Sequence, residues 1–182
     1  MGYAHPMGTA RVDGAQVSVR VAFGDGSGST VSTGLGVLDH LIGELARTAR
    51  LRLAVEAAPG AVDPAVAAAG REVGEALAPL LRAPGASGHG WAWMPSDEAL
   101  AGAVLEAGDR ALLASNVDFS GVGGLASDVV AVFLDELAKG ARLNVHIRVL
   151  EGKDPQNVLR AIFKALGAAI GQACRLPEGG EP

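Results

Sequence analysis

Cysteine is almost missing from this chain of 182 residues; Cys174 is the single one. That excludes an intrachain disulfide and any zinc site built on cysteine. It also fits a reducing compartment, so a cytoplasmic location is the expectation. Aromatic residues make up 4% of the chain, against 49% hydrophobic residues in all. Composition therefore excludes disorder, and the core must rest on many small Ala, Val and Leu contacts. Lysine is scarce as well, three against twelve arginines, within a net charge of −5. No basic run stands out, which leaves nucleic-acid binding without electrostatic support. No window approaches the roughly 20 apolar residues that span a bilayer, so no membrane partner is expected. Met1 to Ala10 lacks a charged segment followed by an apolar one, and no signal peptide is read there.

What is present is a changing hydrophobic period. Val17, Val19, Val21 and Phe23 alternate, as in a half-buried strand; Gly24 to Gly28 is a turn, and Val31 to Thr33 a second short strand. Val37, Leu38, Leu41, Ile42 and Leu45 then fall on one helical face. Leu51, Leu53 and Val55 alternate again, and Asp63-Pro64 opens an Ala-rich helix to about Arg82, as an N-cap followed by proline. The second half repeats this order. Ala101 to Glu106 and Ala111 to Phe119 read as strands, Gly121 to Leu125 as a loop, and Ser127 as the cap of a helix through Leu137. Leu143 to Val149 reads as a strand, and Asp154-Pro155 starts a last helix to about Cys174. The letters recur too: Glu44-Leu-Ala-Arg-Thr-Ala-Arg-Leu51 matches Glu136-Leu-Ala-Lys-Gly-Ala-Arg-Leu143. The expectation is an α+β fold of two duplicated halves, each strand–strand–helix–strand–helix, with sheets backed by helices. The halves are placed at 11–92 and 93–176, with a tail at 177–182.

Four segments, in order, resemble motifs of the imidazoleglycerol-phosphate dehydratase family. Thr33-Gly-Leu-Gly-Val-Leu-Asp-His40-Leu is similar to Thr-Gly-x-x-Phe-x-Asp-His-Met. Met94-Pro-Ser-Asp-Glu-Ala-Leu100 is similar to Val-Pro-Met-Asp-Glu-Ala-Leu. Asn144-Val-His146-Ile resembles a Leu-His-Ile segment, and Ala161-Ile-Phe-Lys164-Ala resembles Ala-x-Phe-Lys-Ala. The match runs from about Val17 to Arg175. The resemblance implies a duplicated fold, a lyase reaction of histidine biosynthesis (dehydration of imidazole glycerol phosphate), a pair of manganese ions held by two His-His-x-x-Glu motifs, and a trimer-based homo-oligomer.

Both metal motifs are missing. Ala67, Ala68 and Arg71 stand where the first is expected, and Gln156, Asn157 and Arg160 where the second is. Alanine has no donor atom, and arginine is permanently charged and not a usable ligand. Thr48 takes the place of a further family histidine, Gly88 of an arginine, and a Thr-Lys-Glu-Thr segment is not recognisable near Asp13-Gly14-Ala15. His40 and His146 are left as remnants of the ligand set, or as plain hydrogen-bonding groups of a helix and a strand. Asp97 and Glu98 are the remnant carboxylates of the catalytic segment, or turn and cap residues. Arg110 and Lys164 match family phosphate contacts. Arg71 and Arg160 are either an anion site, since guanidinium forks match phosphate and carboxylate, or ion-pair partners of glutamates such as Glu72 and Glu75. The glycines of Gly24 to Gly28 and Gly121 to Gly124 read as turns. Trp91 and Trp93 point to one side of a strand, as core or subunit contact.

The reading that follows is a non-catalytic homologue, a pseudoenzyme that needs no cofactor and binds a phosphorylated small molecule. Two alternatives stay open: an active lyase of altered chemistry, and a structural or regulatory partner of a true dehydratase.

Overall fold

The computed structural model describes residues 9–13, 16–60, 62–119 and 128–175. The expected loop at Gly121–Leu125, the Ser127 cap and the 177–182 tail lie outside them. The first half holds β1 (Thr9–Asp13), β2 (Val17–Phe23), β3 (Thr30–Ser32), α1 (Gly36–Ala49), β4 (Leu51–Ala57) and α2 (Val62–Leu81). The second holds β5 (His89–Ser96), β6 (Ala99–Ala107), β7 (Leu112–Ser115), α3 (Val129–Ala141), β8 (Leu143–Glu151) and α4 (Pro155–Ala173). Each half thus has one strand more at its start than the period suggested. β1 and β5 supply these strands, as hairpin partners of β2 and β6.

The duplication extends to topology. One sheet has the order β1-β2-β4-β3, the other β5-β6-β8-β7. β3 runs parallel to β4 and β7 to β8, so α1 and α3 are the crossovers that parallel neighbours need. α1 and α2 cover the first sheet and α3 and α4 the second; α1 then packs on α4 and α2 on α3. The result is four layers, with the four helices between two sheets. Alternation explains which side is inside: Val17, Val19, Val21, Leu51, Leu53 and Val55 of the first sheet are buried, as are Ala101, Ala103, Leu105, Leu143, Val145 and Ile147 of the second. A boundary at 92/93 would fall inside β5; the chain passes from one sheet to the other in the loop between Leu81 and His89.

Tight helix contacts set how the halves correspond. A Cβ on Gly74 of α2 would lie 2.4 Å from the Leu137 carbonyl oxygen, and one on Gly167 of α4 would lie 2.2 Å from that of Leu45. Leu45 and Leu137 are matching residues of the repeated segment, so Gly74 corresponds to Gly167. A second duplicated contact agrees. Arg82 Nη1 donates to the Ala141 carbonyl at 2.9 Å, and Arg175 Nη2 to that of Ala49 at 2.7 Å. These arginines satisfy carbonyls left open at the ends of α3 and α1. Arg50 and Arg142 end those helices in the left-handed conformation, each at φ 53. By this register Arg71 matches Lys164, one helical turn from the Arg160 that motif alignment pairs with it.

Candidate functional site

The remnant motifs cluster around the start of α4. Asp154 caps the helix, accepting from the Gln156 N–H at 2.8 Å with Pro155 behind it, as the Asp-Pro pair predicts. Glu98, in the β5–β6 turn, reaches the same place. One of its oxygens accepts from the Lys153 and Asp154 N–H groups at 3.1 and 2.8 Å, the other from Asn157 Nδ2 at 2.7 Å. Chiefly through the Asp154 N–H, with help from Asn157, these donors hold the Glu98 carboxyl down at about 2. Asp97 occupies the turn at φ 49, and Arg160 Nη1 lies 3.8 Å from Asp97 Oδ2 across solvent. Lys164 donates to the Pro95 carbonyl at 2.5 Å. Asp97 and Glu98 therefore serve the turn and the helix start, with Arg160 and Lys164 beside them.

Glu98 carries a pH signature. Its folded pKa is depressed from 4.5 to about 2, so the stabilisation is present above 4.5 and is lost as pH falls through 2. The thermal midpoint of wild type is expected to exceed that of Glu98→Gln at neutral pH, with the gap closing toward pH 2. A gap independent of pH would contradict the assignment.

Arg71 is engaged elsewhere. Its Nε donates to Glu136 Oε2 of α3 at 2.9 Å, and Lys139 Nζ holds Glu136 and Asp135, each at 2.7 Å. The partner is thus Glu136 across the helix pair, not Glu72 or Glu75. Burial, with the neighbouring Glu75 charge, pushes the Glu72 carboxyl up against the pull of Arg71. The matching place in the other half holds Glu44, bonded by Arg47 at 2.6 Å. Burial raises the Glu44 pKa, but the Arg47 bond and the charges of Arg47, His40 and Lys164 outweigh it and leave the carboxyl below its usual range.

The other remnants do not meet. His40 is exposed on α1, and His146 is exposed on the outer face of the second sheet between Val104 and Ala114. Neither ring is hydrogen-bonded to a described residue. Arg110 is exposed at the opposite end of β6 from Glu98; a nine-residue strand spans roughly 30 Å. Arg110 and Lys164 are therefore apart within one chain. So are Arg71 on α2 and Arg160 on α4, whose helices pack on different partners. Cys174 is buried, and burial drives its thiol up to about 12, which leaves no thiolate for chemistry. Trp91 and Trp93 are not core residues: they are 62% and 47% exposed.

The donor set does not fit the manganese pair that the resemblance implies. Ala67, Ala68, Arg71, Gln156, Asn157 and Arg160 offer neither imidazole nor carboxylate. Among the described residues no group of three or more His, Cys, Asp or Glu comes together to hold an ion.

One residue of the motifs escaped the sequence reading. Asp39, beside His40, accepts from the Thr33 N–H at 2.8 Å and from its hydroxyl at 2.5 Å. The Thr-Gly…Asp-His motif thus ties β3 to α1 and has a structural purpose independent of metal. Thr33 is 3% exposed and needs this partner.

The comparisons agree with this geometry. The family model described as imidazoleglycerol-phosphate dehydratase matches residues 33–170. The imidazoleglycerol-phosphate dehydratase of Chlorobium luteolum is 32% identical over 168 residues, 87% of this chain and 82% of that protein. That of Limosilactobacillus fermentum is 30% identical over 167 residues, 87% and 84% of the two chains. The crystal structure of the Staphylococcus aureus enzyme superposes with a TM-score of 0.84 at 26% identity, over 93% of this chain and 99% of that one. The Pyrococcus furiosus enzyme, solved in complex with (S)-C348, gives 0.78 at 25% identity, over 92% and 94%. No described helix is long and apolar enough to cross a membrane. Duplicated topology, the surviving Thr-Gly…Asp-His clamp and these likenesses lead to one conclusion: this chain belongs to the imidazoleglycerol-phosphate dehydratase family.

Proposed function

We propose that this protein is a non-catalytic member of its family, built on the dehydratase fold but without the manganese pair, and that it binds a phosphorylated small molecule. The observation that carries the first half is Arg71. Where the family motif calls for a metal-ligating glutamate, a guanidinium stands and is committed to Glu136 at 2.9 Å. Dehydrating a phosphorylated imidazole diol requires a sink for the electron pair of the broken C–H bond, since hydroxide departs with its own pair, and the His-His-x-x-Glu donors that would hold the metal pair for this are missing here. Arginines and lysines on the described surface can anchor a phosphate but do not supply that sink. The test is a dehydratase assay with imidazole glycerol phosphate and added manganese. No turnover above buffer is expected; turnover at ordinary enzyme rates, about 1–1,000 per second, would sink the proposal.

Self-association belongs to the same reading. Trp91, Trp93 and Val104 (58% exposed) lie together on the outer face of the second sheet. Gly102 lies beneath Trp93, and a Cβ there would sit 2.6 Å from the indole. The outer face of the first sheet is polar, with Arg20, Glu56, Thr30 and Ser32 around a shallow concavity. Glu56 of that face and Arg148 of the other occupy matching strand positions. Such unlike faces favour head-to-tail contact between copies. Trp91→Ser with Trp93→Ser should lower the mass measured by light scattering; an unchanged mass would remove the idea.

A further inference from the structure

The concavity on the outer face of the first sheet measures about 270 Å³. The strand register fixes what lines it. Ser18 of β2 and Ser32 of β3 flank Glu56 of β4; one step along, Arg20 and Thr30 flank Ala54. Ala54 has the smallest of these side chains and forms the floor. The rim holds a guanidinium, a carboxylate and hydroxyl groups.

Arg20 and Glu56 are diagonal neighbours across β2 and β4, roughly 7–8 Å apart. They are within reach of each other but form no ion pair, and among the described residues neither has a hydrogen-bonding partner for its side chain. The hydroxyls of Ser18, Thr30 and Ser32 are unbonded as well. Arg52, the next outward residue of β4, donates to the Ser27 carbonyl at 3.3 Å and takes no part.

The duplication separates this site from the fold that carries it. With Leu51 matched to Leu143, the register takes Ser18, Arg20, Thr30, Ala54 and Glu56 onto Gly102, Val104, Ala114, His146 and Arg148. The second sheet has the same backbone there, but those positions offer no carboxylate and no hydroxyl, and an imidazole stands on the floor. The polar rim is therefore a property of these residues and not of the sheet.

A ligand has to answer both charges. A simple anion at Arg20 would face Glu56, and a simple cation at Glu56 would face Arg20. A small zwitterion meets both. Its carboxylate matches the guanidinium fork and the Thr30 hydroxyl, and its ammonium group donates to Glu56 and to the hydroxyls of Ser18 and Ser32. The volume lies just below the usual range of small-molecule sites, roughly 300–1,000 Å³, which suits a molecule of amino-acid size.

We infer that the outer face of the first sheet holds a site for a free α-amino acid, with Arg20 on its carboxylate and Glu56 on its ammonium group. The site is separate from that of the phosphorylated ligand, and none of its residues belongs to the four motifs.

Thermal midpoints measured with each common protein L-amino acid at about 10 mM test it, since a ligand that binds only the folded chain raises the midpoint. At least one is expected to do so. Its carboxamide and its deaminated acid, each with one charge removed, should bind about 10- to 100-fold more weakly. Arg20→Gln and Glu56→Gln, both at exposed positions, should each lose as much. Ala54→His, which copies the floor of the second half, should abolish binding. The contact proposed between copies uses the same face, so the series is repeated with Trp91→Ser plus Trp93→Ser, which leaves the concavity uncovered. No rise with any amino acid in either background overturns the site, and so does a rise that any of the three variants retains in full.

Discussion

Gly167→Val is expected to destabilise this protein by about 3 kcal/mol or more, whereas Gly43→Ala should stabilise it by about 1 kcal/mol. Both glycines sit inside helices, where glycine is intrinsically unfavourable relative to alanine. Around Gly43 there is nothing within 4 Å of an added Cβ, so only the propensity gain is felt. At Gly167 an added Cβ would lie 2.2 Å from both the Leu45 carbonyl and the Thr48 hydroxyl oxygen. That hydroxyl accompanies the helix, donating to the Glu44 and Leu45 carbonyls. The main chains of α1 and α4 must then separate, and the loss spreads to Leu45 and Leu166, both buried in that layer. Gly74→Val should behave likewise at the α2–α3 contact. Urea unfolding measures all three. A Gly167→Val midpoint near that of wild type would mean that the helices do not approach as described.

Rebuilding the lost donors should produce the second large effect, a gain of manganese affinity of at least about 100-fold. The variant combines Ala67→His, Ala68→His and Arg71→Glu with Gln156→His, Asn157→His and Arg160→Glu. Positions 67 and 71 are four apart on α2, and 156 and 160 four apart on α4, so each pair shares a helix face. Imidazole and carboxylate together suit a divalent first-row ion. Removing the guanidiniums matters as much as adding ligands. Near a surface, unit charges 4 Å apart interact by about 4 kcal/mol, and a divalent ion feels roughly twice that repulsion. Because α2 and α4 do not pack on each other, each motif is a half-site within one chain, and full occupancy depends on assembly. Elemental analysis after gel filtration reads the gain. A folded variant with no more manganese than wild type would mean that something other than these side chains excludes the metal.

Much of the fold was legible in the residues, and the reasons are physical. The periods of Val17–Val21 and Leu51–Val55 are those of strands with one buried face, and of the helical face read from Val37, Leu38, Leu41, Ile42 and Leu45 all are buried but Val37, which is 40% exposed. The Glu44 and Glu136 segments showed the duplication because identical packing problems were solved with the same letters; of the two Asp-Pro pairs only Asp154-Pro155 starts its helix as expected, since Asp63 and Pro64 lie within α2 (Val62–Leu81). β5 was harder. Its outward positions carry Trp91 and Trp93 instead of polar residues, so apolar–polar alternation, the usual sign of a half-buried strand, is absent. β1 is short and lies at a sheet edge.

The site was less legible. That the motif positions had lost their donors could be read directly, since ligand chemistry depends on residue type. Where Arg71 goes could not, because Glu136 is 65 positions away and meets it only through the α2–α3 contact. Glu98 was visible as a carboxylate but not as the partner of Lys153 and Asp154, which the β5–β6 turn brings to it.

The central claim is that the family fold persists here without its metal pair. Manganese stoichiometry of the purified wild-type protein tests it most directly: saturate with manganese, remove free ion by gel filtration, and count ions per folded chain. The account predicts none retained; two manganese ions per chain would contradict it.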